Sequence, residues 1–173
     1  YFYSELRLPM YQRRNMYREK IPSDCIRAWL LTVFDFTDIE AFRIEESTLL
    51  DNIIYQGKIQ YAIDQILPDH SDTLKFGFTS DQLHWCRENE SQMWTHIVEN
   101  KLLFSTDRLI KGRFLNEGPF TSGFPGESPA RAVIWLGWRI VESYMTRNSD
   151  IKLEELMLNK NYQSILNQAA YRP

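Results

Sequence analysis

Apolar residues recur at helical spacing through most of this chain. Between 47 and 67, Leu50, Ile53, Ile54, Gly57 and Tyr61 fall at i, i+3, i+4, i+7 and i+11, one face of a helix. Ser47 stands where a cap belongs, and Pro68-Asp69 stops the pattern. Gly57 inside that face costs ~1 kcal/mol against Ala, which predicts close approach of another backbone. Thr79-Ser80-Asp81-Gln82 has capping-box spacing and opens a helix expected to reach 101. Leu83, Cys86, Met93, Trp94 and Ile97 line one side of it. Glu88, Asn89 and Glu90 interrupt it and are expected to face water. Ser128-Pro129 predicts the start of a long helix to 147, with Ser as cap and Pro at the first helical position. Val133, Leu136, Gly137, Ile140, Val141 and Tyr144 form its apolar stripe. Arg131, Trp135, Trp138 and Glu142 form a second stripe beside the first.

Shorter helices are predicted at 9–17, 23–34, 105–115, 153–158 and 162–170. Pro22-Ser23-Asp24 offers capping oxygens to the second of these. An acidic connector at 35–46, a loop at 68–78 and a Pro/Gly-rich loop at 116–127 separate the helices. Strand alternation is absent over any useful length. The fold class is mainly α, a single helical domain with long loops over residues 1–173.

Composition narrows the function classes. A chain of 173 residues and 20.6 kDa suits one domain that buries roughly 70% of its unfolded surface. Hydrophobic residues at 43% exclude a disordered chain. A formal net charge of -3 supplies no attraction for nucleic acid or anionic lipid. No apolar run approaches the ~20 residues of a membrane helix. Cys25 and Cys86 are too few for a disulfide framework and read as small buried side chains. The chain opens at Tyr1 without a methionine, so any targeting segment is expected upstream of it.

Candidate chemistry is sparse. His70, His84 and His96 are the only histidines, and none pair at the spacing of a zinc motif. On one helix His84 and His96 would stand ~18 Å apart. No metal site and no cofactor are expected. Neither cysteine has a base predictably beside it. Ser128 sits in GESP rather than G-x-S-x-G, so no catalytic residue is assigned. Glu45-Glu46 and Glu154-Glu155 read as solvated charges. The Arg131, Trp135 and Trp138 stripe has two readings. In one, both tryptophans are core and Arg131 pairs with a carboxylate at the rim. In the other, they line a groove with an aromatic floor and a cationic end, suited to an extended peptide or a sugar chain. Gly118, Gly123 and Gly126 would let the preceding loop bend over it. Gln56 and Tyr61 complete the candidate binding set.

Several segments together resemble the gliding-motility lipoprotein GldB family. They are LLDNIIYQGKIQYAIDQILPD at 49–69, FTSDQLHWCRENESQMW at 78–94, KLLFSTD at 101–107, GPFTSGFPGESPARAVIWLGWRIVESYM at 118–145 and AAYRP at 169–173. The resemblance implies an envelope lipoprotein linked to surface motility and its associated secretion, in the periplasm or at the outer membrane. It implies attachment through a lipidated cysteine upstream of Tyr1, an N-terminal family segment outside this chain, and motility or secretion proteins as partners. The family in turn is similar to zinc peptidases of helical zincin type. There Gln56-Gly57 falls where the peptidases carry Glu-Gly, and 23–34 where they carry H-E-x-x-H. That likeness implies a peptidase-like scaffold without its metal. The expected function is non-catalytic binding of a protein or extended chain, with a zincin-type hydrolase and a glycan-binding module as alternatives.

Overall fold

The computed structural model describes residues 21–37 and 46–173, with side chains only through Leu30 in the first stretch. The helix expected at 9–17 and most of the acidic connector lie outside these residues. The described residues form α1 (Ile21–Thr37), α2 (Leu49–Ile66), α3 (Asp72–Phe76), α4 (Ser80–Glu88) and α5 (Glu90–Glu99). They continue with α6 (Arg108–Leu115), α7 (Val133–Arg147), α8 (Leu153–Leu158) and α9 (Tyr162–Ala169). No strand occurs among them, and the mainly α class holds.

The centre is the crossing of α2 and α7. A Cβ on Gly57 would lie 2.2 Å from the Gly137 carbonyl carbon, and one on Gly137 only 2.0 Å from the Ile53 oxygen. The two helices therefore meet backbone to backbone, which is the return on the helix cost of Gly57. Around the crossing, Leu49, Leu50, Ile53 and Ile54 of α2 and Val133, Leu136, Ile140, Val141 and Tyr144 of α7 are buried together. Residues of α4, α5 and α9 close this core with Leu83, Cys86, Met93, Ile97, Ile165 and Ala169. The far side of α2 packs separately: Ile59, Ala62 and Ile63 meet Leu30 of α1 and Met157 of α8.

Caps and buried polar groups fix the element ends. Thr48, not Ser47, caps α2, in a reciprocal box with Asp51. Free N–H groups of its first turn also donate to residues 103–105: Leu49 to Ser105 O at 2.9 Å and Leu50 to Leu103 O at 2.8 Å. Lys58 is buried, and its ammonium donates to the Met157 and Asn159 carbonyls at 2.8 and 2.9 Å. Carbonyls at a helix end are natural acceptors for a cation, so Lys58 pins the end of α8 to α2.

Several boundaries depart from expectation. The Thr79–Gln82 box forms, but the helix it opens breaks at Asn89, whose side-chain amide donates to Trp85 O at 2.8 Å. Asparagine competes for helix carbonyls in this way. The loop at 68–78 contains α3, too short to show a period, closed by Gly77 at φ 71°. The helix at 23–34 runs from Ile21 to Thr37, and Ser23 donates to Leu74 O at 2.9 Å instead of capping. The long helix starts at Val133, because Ser128 accepts from Thr121 N–H at 3.2 Å and so faces the loop. Cys25 is exposed, against expectation, while Cys86 is buried.

Two measurements check this packing. Gly137→Ala forces a methyl into backbone and should cost about 3 kcal/mol or more, the upper range of overpacking, whereas Leu136→Ala should cost ~2–5 kcal/mol by leaving a cavity. Urea unfolding with either change below ~0.5 kcal/mol rejects the crossing. A disulfide reagent should label Cys25 at once and Cys86 only on unfolding. Burial, then the nearby Glu90 charge, pushes the Cys86 thiol up to about 12. Its folded pKa is raised, so this contribution to stability is complete below pH 9 and fades as pH climbs from 9 towards 12. Cys86→Ala should flatten the fall of melting temperature over that window.

Candidate functional site

The site grows from the loop that enters α7. Thr121 and Ser128 are both buried and form a clasp. The Thr121 hydroxyl donates to Pro129 O at 2.6 Å and accepts from Ala132 N–H at 2.8 Å. The clasp ends at Arg131, whose φ of 56° is left-handed. A non-glycine residue there is strained by about 1 kcal/mol, and such strain concentrates at functional positions. Helical bonding then begins with Ile134 N–H to Arg131 O at 3.0 Å. The glycines of this loop do a different job from the one expected. None has positive φ. A Cβ on Gly123 would strike the Phe114 ring at 2.3 Å, while one on Gly126 would meet open space. Gly123 admits Phe114; the left-handed turn belongs to Arg131.

Arg131 faces a cavity of about 360 Å³ between α2, α6 and α7. Asn52 and Gln56 form one wall, Arg108, Lys111 and Asn116 another, with Ile134 as apolar floor. Arg131 pairs with Glu117 at 2.9 Å. The Glu117 side chain is 48% exposed, so the pair is a rim contact rather than a buried bridge. Lys111 is buried and donates to Ser47 O at 2.8 Å, which ties α6 to the head of α2. The wall is thus cationic and amide-rich, suited to an acceptor-rich ligand.

Of the five sequence candidates, Gln56 and Arg131 line this cavity and the other three do not. Trp135 is buried against Phe76, and its indole N–H donates to Glu90 at 2.8 Å. Trp138 is half-buried in the same aromatic cluster, edge-on to Phe76. Tyr61 is half-buried, and burial followed by the Asp64 and Glu142 charges raises its phenol. The stripe parts because Arg131 precedes the helix and its left-handed backbone turns it away. Sequence reasoning missed Asn52, Arg108, Lys111 and Asn116. Arg108 and Lys111 share α6 and Asn116 caps it, but that helix carried no signal of what it faces.

Glu90, expected to face water, is largely buried instead. Its carboxylate accepts from Trp135, from Arg139 Nε at 3.2 Å and from the Tyr171 hydroxyl at 2.8 Å. It joins α5, α7 and the C-terminal AAYRP segment. Burial, then the Glu90 charge, drives the Tyr171 phenol far upward. Burial lowers the Arg139 guanidinium, but Glu90 and Glu142 outweigh it and raise the net value. Glu90→Gln leaves these donors with a neutral acceptor and should cost ~1.5–3 kcal/mol.

Among the described residues no group of three or more His, Cys, Asp or Glu side chains converges on a point that could hold a metal ion. No described helix is long and apolar enough to cross a membrane. The family model described as gliding motility protein GldB matches residues 1–173. Comparison with curated proteins matches none, and comparison with solved structures matches none.

Arg131 offers a direct test of strain against support. Arg131→Gly relieves the left-handed backbone and breaks only a rim pair, so its thermal unfolding should lie within about 1 kcal/mol of the unaltered chain. A loss of several kcal/mol would make Arg131 a structural strut instead.

Proposed function

Given that this chain belongs to the gliding motility protein GldB family, and so to the gliding-motility-related lipoproteins of the cell envelope, we propose that it works without catalysis, by holding a protein partner or an extended chain. The observation that carries this reading is Arg131. It keeps a strained backbone at the wall of a cationic, amide-lined cavity, yet its ion pair among the described residues, with Glu117, is half exposed. A residue held in strain with so little structural return is placed for a ligand. Arginine suits that task because its planar fork meets carboxylates and backbone carbonyls alike.

One further feature favours binding over hydrolysis. Gln56, at the position that by resemblance corresponds to a glutamate of the zinc peptidases, is a neutral amide at the cavity wall. The glycan-binding alternative loses its footing, since Trp135 is buried and Trp138 half-buried, leaving no open aromatic floor. Partners of the motility apparatus, and of the secretion linked to it, are the proposed occupants.

The test is genetic. A gliding bacterium lacking its own copy receives the full-length protein either unaltered or carrying Arg131→Gln. Spreading on agar should be restored by the first and lost with the second, at equal protein abundance in the envelope. Full spreading with the variant, or a loss that tracks reduced abundance, would sink the reading.

A further inference from the structure

The polar groups around the cavity of about 360 Å³ differ in what they have left to offer. The Lys111 ammonium already donates to Ser47 O, and Arg131 Nη2 already pairs with Glu117. Asn52 is buried, and its Nδ2 donates to Ser47 Oγ and to Thr48 O, both at 2.7 Å. An amide nitrogen carries two hydrogens, so Asn52 has only its carbonyl Oδ1 to give. Among the described residues Oδ1 is not one of the buried atoms without a partner, so this oxygen reaches the space that Asn52 lines. Gln56 is half-buried and Asn116 exposed, and neither side-chain amide takes a hydrogen bond among the described residues. Gly112 gives the Asn116 amide its place at the wall: a Cβ there would stand 3.1 Å from Asn116 Nδ2.

The uncommitted groups are thus one acceptor and two amides that donate and accept alike. An anion only accepts, and would set its oxygens against Asn52 Oδ1. A peptide main chain presents both N–H and C=O, as these walls require. Spacing agrees. Asn52 and Gln56 lie one turn apart on the same face of α2, ~6 Å along its axis. An extended chain turns N–H and C=O to the same side at every second residue, roughly 6.5 Å apart. Leu115 and Ile134 supply apolar surface for a side chain between them. We infer that Asn52, Gln56 and Asn116 hold an extended peptide segment by its main chain, Asn52 accepting an N–H and the other two pairing with N–H and C=O. This inference rests on the binding reading above and specifies the ligand chemistry: backbone conformation, rather than charge, selects the occupant.

Titration of the purified chain, followed by nuclear magnetic resonance, tests this with four probes. They are an acetylated, amidated hexapeptide of alternating alanine and serine, the same peptide N-methylated at every backbone amide, a trimer of N-acetylglucosamine, and acetate. The unmethylated peptide should bind at least about tenfold more tightly than each of the other three, since they lack its repeating main-chain donors and acceptors. It should shift the side-chain amide resonances of Gln56 and Asn116, and weaken about fivefold or more in Gln56→Met. A smaller preference over any of the three, absence of binding at millimolar peptide, unshifted amide resonances, or undiminished binding in Gln56→Met each overturns the inference. Should Gln56→Met fail to fold, Asn116→Ala, at an exposed position, takes its place with the same expectation. Failure here together with lost spreading in the Arg131→Gln strain removes main-chain recognition and leaves partner binding standing. Success here with normal spreading does the reverse.

Discussion

The contact between Gly57 and Gly137 is the constraint from which the rest of this structure follows. Without side chains at the crossing, α2 and α7 meet at their backbones. That closeness draws Leu50, Ile53 and Ile54 into the same core as Leu136, Ile140 and Val141. It also sets where the loop before α7 must arrive. The Thr121–Ser128 clasp delivers Arg131 beside Asn52 and Gln56, which are next in sequence to the crossing residues Ile53 and Gly57 on α2. A wider crossing would separate these groups, and the cavity would lose a wall.

Buried charge is handled in two ways here. Lys58 and Glu90 are satisfied fully by the fold: one by carbonyls at the end of α8, the other by three donors from α7 and the C-terminal segment. Lys75 is similar, since its desolvation is outweighed by hydrogen bonds and charge from Asp64 and Asp72. Each of these groups joins elements distant in sequence, and each becomes costly if its partner is removed. Arg131 differs: among the described residues its Nε has no acceptor. That contrast, rather than charge alone, separates the candidate site from the struts around it.

The stripe of Arg131, Trp135 and Trp138 shows how a sound spacing argument can mislead. The spacing holds only if the helix begins before Arg131. It begins at Val133 because Ser128 serves the loop rather than the helix. The two tryptophans kept their helical relation and went to the core, while Arg131 turned the other way. Gln56 reached the cavity with Arg131, but Tyr61, further along the same helix, did not.

Local chemistry in the chain was enough to determine the helical class, most helix spans, the Thr79–Gln82 cap and the backbone approach at Gly57. These depend on neighbours within a turn or two, and a one-dimensional pattern records them. The family membership was legible for the same reason, carried by whole segments rather than by a site. What only the tertiary structure decided was the company each polar residue keeps. Glu90 looked like a solvent-facing interruption and became a hub, since its donors come from 45 and 81 residues away. Asn52, Lys111 and Arg131 share one cavity although sequence separates them by up to 79 positions. Whether a charge is buried, paired or left open is set by contacts between distant segments, and helical periodicity carries no information about those.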